Sequence, residues 1–217
     1  MSVKEFIEEK KVIAIARRLY GEDLLKLSDA LLEGGVCLLE CTFDQADKDY
    51  IAKTSEAISS LCSRHGDRLL AGAGTVLTTE QVEAAFKAGA KYIISPNVNE
   101  SVIKRTKELG MVSIPGAMTP TEILAAHYAG ADFVKLFPAT TLGFKYIKDI
   151  LAPISHVKLV ATGGVNEENF GEYLKLGFVG AGISGRLTDK KLIAEGNWAE
   201  FTRRAGVFAA MAGENSK

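Results

Sequence analysis

Two charged residues stand inside apolar runs of strand length: Lys135 in Phe133-Val134-Lys135-Leu136-Phe137, and Glu40 in Val36-Cys37-Leu38-Leu39-Glu40-Cys41. Lysine and glutamate are seldom buried without a partner or a task. A lysine becomes a nucleophile when its neutral amine is favoured, which desolvation or a nearby cation achieves. Phe133 and Phe137 share a strand face with Lys135 and would supply the first effect; Arg17, at the end of Val12-Ile13-Ala14-Ile15-Ala16, would supply the second. The neutral amine can attack a ketone to give a Schiff base. Glu40 would then carry protons to and from carbinolamine, enamine and substrate hydroxyl. The bland alternative is a buried Lys–Glu ion pair that holds the core together, although such pairs rarely add stability over apolar packing.

Positioning these residues requires a frame, and the chain repeats one. From residue 12 onward a short apolar run, a polar or glycine-containing junction and a helical stretch follow one another. The runs predict strands at Val12–Ala16, Val36–Cys41, Leu69–Gly74, Tyr92–Ser95, Val112–Pro115, Phe133–Phe137, Lys158–Ala161 and Val179–Ile183. Helices are expected at Asp23–Glu33, Thr79–Ala88 (opening near a capping box), Thr121–Ala129 and Glu168–Leu176, with glycine stops at Gly34-Gly35, Gly89, Gly110, Gly130 and Gly177. Strands apolar on both faces and alternating with helices imply a parallel sheet covered by helices. Eight units close naturally into an α/β (β/α)8 TIM barrel. Ser2–Lys10 forms an extra N-terminal helix that would close its bottom. The rival, a doubly wound open sheet, would keep a glycine-rich turn after its first strand, where this chain has Ala16-Arg17-Arg18-Leu19-Tyr20-Gly21. One domain spanning 1–217 is expected, with 213–217 frayed.

A barrel of this kind carries its site at the C-terminal ends of the strands. Arg17, Glu40, Thr75, Asn97, Pro115-Gly116, Lys135, Thr162 and Ser184 all fall there. Alternation that turns Glu40 inward also turns Leu38 inward and leaves Cys37, Leu39 and Cys41 against helices; Lys135 inward brings Phe133 and Phe137 with it. Thr162-Gly163-Gly164-Val165 and Gly180-Ala181-Gly182-Ile183-Ser184-Gly185 expose backbone N–H groups after strands 7 and 8, the common phosphate site of this architecture. His65, His127 and His156 are expected at the surface, and no metal site is evident. Cys37 and Cys41, about 13 Å apart in a strand, are too distant for a bridge and read as inert thiols.

Composition narrows the partners. Apolar residues are 47% of the 217, enough for a sizeable core, and a net charge of -1 gives no general attraction to nucleic acid or anionic membranes. The N-terminus is charged and amphipathic, and no stretch approaches the ~20 apolar residues of a membrane span. A cytoplasmic protein acting on a small molecule is expected.

Seven segments in register carry a family likeness: Val12–Arg17, Leu39-Glu40-Cys41-Thr42, Gly72-Ala73-Gly74-Thr75-Val76-Leu77, Ile94-Ser95-Pro96-Asn97, Ile114-Pro115-Gly116, Val134–Ala139 and Thr162-Gly163-Gly164-Val165. From about Val12 to Phe201 the chain resembles the class I 2-keto-3-deoxy-6-phosphogluconate (KDPG) / 4-hydroxy-2-oxoglutarate (KHG) aldolases. The resemblance implies a lyase releasing pyruvate, with Lys135 as Schiff-base lysine and Glu40 as general acid/base. It places Thr75, Pro96, Phe137 and Thr162 around pyruvate and the backbone near Gly163, Gly164, Gly182 and Ser184 around a distal phosphate. It further implies a homotrimer needing no metal or cofactor. Many members carry an arginine four residues after the glutamate to hold the carboxylate, where this chain has Asp44. A subgroup acting on 2-keto-3-deoxy-6-phosphogalactonate lacks that arginine and keeps one at the end of strand 1, as Arg17 is here. Gly143-Phe144-Lys145-Tyr146-Ile147-Lys148 also resembles that subgroup. The carboxylate is therefore assigned to Arg17, and Asp44 would point away or select a different substrate tail. Two other functions remain open: a phosphate-binding barrel that acts as an isomerase or synthase without covalent catalysis, and a non-catalytic sugar-phosphate binder, motivated by Asp44 standing where many members have arginine.

Overall fold

Strands rich in Val, Ile, Leu and Ala on both faces need cover on both sides, and they receive it. The structure, a computed structural model, describes residues 1–214. Helix α1 (Val3–Lys10) leads into β1 (Val12–Ala16), α2 (Gly21–Glu33), β2 (Leu38–Thr42), α3 (Tyr50–His65), β3 (Leu70–Gly74), α4 (Thr79–Lys87), β4 (Tyr92–Ile94) and α5 (Glu100–Glu108). There follow β5 (Val112–Ile114), β6 (Gly116–Ala117), α6 (Pro120–Tyr128), β7 (Val134–Leu136), α7 (Gly143–Leu151), β8 (Leu159–Thr162), α8 (Phe170–Lys175), β9 (Gly180–Ile183), α9 (Lys190–Ala194) and α10 (Trp198–Glu214). All pairings are parallel, in the order β5-β4-β3-β2-β1-β9-β8-β7-β6. The expected fifth strand is divided at Pro115, which has no N–H to continue a ladder. Because β5 pairs with β4 and β6 with β7, this one run joins the two ends of the strand order and closes the barrel.

Helix ends obey local chemistry. Ser2/Glu5, Thr78/Gln81 and Thr119/Glu122 form reciprocal capping boxes. Gly35, Gly89, Gly110, Gly130 and Gly177 all take positive φ. Each terminates a helix by the paired Schellman bonds, as in Val36 N–H to the Leu31 carbonyl and Gly35 N–H to that of Leu32. That motif holds Val36, so β2 begins at Leu38 rather than at residue 36. The helix expected from Glu168 begins at Phe170, because the side chains of Asn166 and Asn169 take the intervening N–H groups into a turn.

Two apolar layers result. Ile13, Leu38, Leu70, Tyr92, Ile94, Val112, Ile114, Phe133 and Val160 fill the barrel, and Ile7 of α1 joins them as the plug of its lower end. Leu39, Cys41, Val134 and Leu136 face the helices. His65 corrects its surface assignment: it is buried at the end of α3, with Nε2 2.7 Å from Ser28 Oγ, which itself donates to the Leu25 carbonyl. The three cysteines are free, and burial pushes each thiol up in pKa. Residue Gly213, expected to fray, is still in α10; 215–217 lie outside the described residues.

Candidate active site

Alternation along three strands aims charged groups at one space. Ile13 and Ile15 face inward on β1, and Arg17 follows two residues later at the strand end. Lys135 on β7 is only 7% exposed, and its Nζ lies 4.7 Å from the centroid of the Phe137 ring. Glu40 on β2 is 2% exposed and sits in register between Ile15 and Gly72. Gly74 makes room for it: a Cβ there would meet Glu40 Oε1 at 2.6 Å. Gly74→Ala is therefore expected to displace the carboxyl group by a substantial fraction of an ångström and to lower kcat about 100-fold, with the fold retained, as steady-state rates and circular dichroism would show.

Glu40 Oε2 is buried without a hydrogen-bond partner. Among the described residues Glu40 and Lys135 form no direct ion pair; they feel one another through space. Desolvation lowers the Lys135 pKa, opposed by Glu40 and reinforced by Arg17. Desolvation raises that of Glu40, opposed by Lys135 and Arg17. Burial thus drives both groups toward their uncharged forms, an amine beside a carboxylic acid. That arrangement holds the same single proton as an ammonium beside a carboxylate, but it leaves a nucleophile and an acid ready.

Lys135, Phe137, Arg17 and Ile15 share a cavity of about 370 Å³ with Thr162, Gly163, Gly164, Gly182 and Ser184. Gly163 and Gly164 take φ of 96° and 81°, left-handed values that favour glycine. Their carbonyls are tied away: that of Gly163 accepts from Thr140, and that of Gly164 from Asn169. The Ser184 carbonyl likewise accepts from Leu187 and Thr188. No protein acceptor takes the N–H groups of Gly163, Gly164, Ser184 or Gly185 among the described residues, so an anion can receive them. Arg186 also lines this end, but its guanidinium is engaged by Glu167.

Eight of the eleven expected site residues therefore meet in one cavity. The other three stand beside it. Glu40 acts on Lys135 and Arg17 electrostatically. Thr75 follows β3 at a φ of 56°, held by the Gln45 amide on its carbonyl and Gln81 behind it. Pro96 is half-buried, its carbonyl against Gly116, the residue paired with Lys135. Ile15, Asn166 and Arg186 line the cavity without having been expected there. Ile15 was readable as the inward residue two before Arg17, and Arg186 as the cation next to Gly185. Asn166 carried no such signal. Asp44 neither points into solvent nor faces the cavity: its carboxylate holds Arg18, with Nε 2.7 Å from Oδ2 and Nη2 3.0 Å from Oδ1.

The family model for KDPG and KHG aldolase matches residues 3–204. The chain belongs to that family. It is an aldolase, hence a lyase. A protein of Rhizobium meliloti named probable 2-dehydro-3-deoxy-6-phosphogalactonate aldolase is 38% identical to this aldolase over 180 residues, covering 82% of each chain. A solved structure described as native KDPGal superposes at a TM-score of 0.82 with 30% identity, over 94% of this chain and 95% of that one. KDPG aldolase of Legionella pneumophila, solved with pyruvate captured as a covalent carbinolamine, superposes at 0.84 with 27% identity, over 96% and 98%.

Proposed function

We propose that this aldolase cleaves a 2-keto-3-deoxy-6-phospho sugar acid of the galactonate series to pyruvate and glyceraldehyde 3-phosphate, through an imine on Lys135. One observation carries the reading: a 7%-exposed lysine, desolvated to a lowered pKa, in the field of a buried acid and at the floor of a cavity whose rim offers free N–H groups. The Lys135 amine adds to the C2 carbonyl. Protonated Glu40 donates to the carbinolamine hydroxyl, water leaves, and a cationic imine stands beside the Glu40 carboxylate. That carboxylate takes the C4-hydroxyl proton, the C3–C4 bond breaks, and its electron pair passes into the imine to give an enamine and an aldehyde. Glu40 returns the proton to C3, and hydrolysis releases pyruvate and the free amine.

Arg17 receives the keto-acid carboxylate. Thr75, Pro96, Phe137 and Thr162 border the pyruvyl group, and the backbone at Gly163, Gly164, Gly182 and Ser184 receives the phosphate. The galactonate preference is supported by Arg17 standing at the end of strand 1 with no arginine at position 44, and by the Rhizobium meliloti relative. Residues 1–217 acting as one domain, a homotrimeric assembly and a cytoplasmic location belong to the same proposal and rest on the family likeness. Exposed Tyr128, Leu142 and Phe86 are apolar surface that an assembly could cover. The non-catalytic reading loses its motive, since Asp44 is neutralised by Arg18.

Borohydride in the presence of pyruvate is expected to reduce the imine to a stable adduct, found by peptide mass spectrometry on Lys135. An adduct elsewhere, or none, would overturn the mechanism. Pyruvate release assayed across gluconate, galactonate and hydroxyglutarate substrates is expected to be fastest with the galactonate compound.

A further inference from the structure

Arg17 stands between two cavities. Besides the one over Lys135, it borders a second of about 300 Å³, walled also by Arg18, Leu19, Asp23, Lys190 and Ile193. Among the described residues Arg17 makes no hydrogen bond or ion pair, so no contact of its own selects between the two. Asp23 offers its guanidinium a competing carboxylate in the second cavity.

Arg18, in contrast, is fixed. Its φ of 55° lies in the left-handed region, where a β-carbon crowds the following carbonyl, and its guanidinium grips Asp44 through two nitrogens. Asp44 is the anchored end: its side chain is 17% exposed against 58% for Arg18, and its carbonyl and carboxylate also accept from Asp47 and Ala46.

We infer that the Arg18–Asp44 pair is a positioning device that aims Arg17 into the cavity over Lys135 and so sets affinity for the keto-acid carboxylate. The inference rests on Arg17 being the carboxylate anchor. Two effects act together. Arg18, held by Asp44, lines the second cavity with Lys190, and the positive charge of the two repels Arg17 and opposes the attraction of Asp23. Asp44, already paired, neither draws Arg17 aside nor repels the incoming carboxylate. An exposed ion pair adds little to stability, so the effect falls on binding.

The test reads the pyruvate concentration that half-saturates borohydride modification of Lys135, together with kcat and the thermal midpoint. Arg17→Ala is expected to raise that concentration about 30-fold or more. Asp44→Asn and Arg18→Ala are expected to raise it about three- to tenfold, with kcat within about twofold and little change in midpoint. Asp44→Glu should restore the wild-type value. In an Arg17→Ala background, Asp44→Asn should add nothing, because it acts only through Arg17. A normal half-saturation in Asp44→Asn beside a raised one in Arg17→Ala would overturn the clamp and leave the anchor standing. An unchanged value in Arg17→Ala would overturn the anchor and the clamp with it. A further loss in the Arg17→Ala background would mean that Asp44 acts on the ligand directly, and would also overturn the clamp.

Discussion

Lys135→Met is expected to lower kcat by about four orders of magnitude or more and to leave the barrel folded and somewhat more stable. The loss follows from the chemistry. Without the amine there is no imine, no electron sink for the C3–C4 pair, and no borohydride adduct, and a covalent role is not shared out among neighbours. The gain in stability follows from burial. Lys135 is desolvated among Phe133, Phe137 and the apolar barrel interior, and its pKa is lowered in the fold. Between that lowered value and the ordinary lysine value, the unfolded chain binds the proton more readily than the folded one. Stability of the wild type therefore rises as pH rises through this window and is lowest below it. Methionine has similar length and no proton to bind, so the advantage of the variant is expected to be largest near neutral pH and to shrink toward alkaline pH. Thermal midpoints measured across that range, with kcat at each pH, check both parts. Turnover retained in the variant would sink the nucleophile assignment; a variant less stable at neutral pH than the wild type would show that Lys135 contributes to the fold as an ion-pair partner.

Much of this architecture could be read from the chain because its information is local. Period-two alternation at Leu38/Glu40 and at Phe133/Lys135/Phe137 fixes which side chains enter the barrel, and the structure agrees at each position. Glycine stops behave as expected because the left-handed residue and its two bonds lie within six residues of one another. What could not be read is long-range or mutual. The break at Pro115 matters only because β4 and β7 approach that run from opposite sides. His65 is buried because Ser28, 37 residues away, meets it across a helix pair. Asp44 is silenced by Arg18, a pairing between two loops that neither loop announces. The site shows the same division: the strand-end residues were legible singly, while the opposed pKa shifts of Lys135 and Glu40 come from two groups buried within each other's field.

That coupling makes Glu40→Gln the more diagnostic variant. General acid–base catalysis contributes about 10² to 10⁴ in rate, and kcat is expected to fall by that amount while pyruvate still forms a borohydride-trapped adduct on Lys135, more slowly. The pH profile separates this from a structural effect. The active form of the pair carries one proton, on Glu40, with Lys135 neutral. Removing that proton at high pH leaves no acid, and adding a second at low pH leaves no nucleophile, so kcat/KM of the wild type should be bell-shaped, with limits that belong to the pair. Glutamine cannot titrate. In Glu40→Gln the alkaline limb should vanish. The acid limb should stay where it was, because the second proton enters Lys135 beside an uncharged side chain in both proteins, with Arg17 unchanged nearby. A bell that survives the substitution would assign the alkaline limb to another group and remove Glu40 from the proton path. An acid limb that moves to higher pH would show that the second proton enters Glu40 rather than Lys135 in the wild type, and that the resting pair is an ammonium and a carboxylate rather than an amine and an acid.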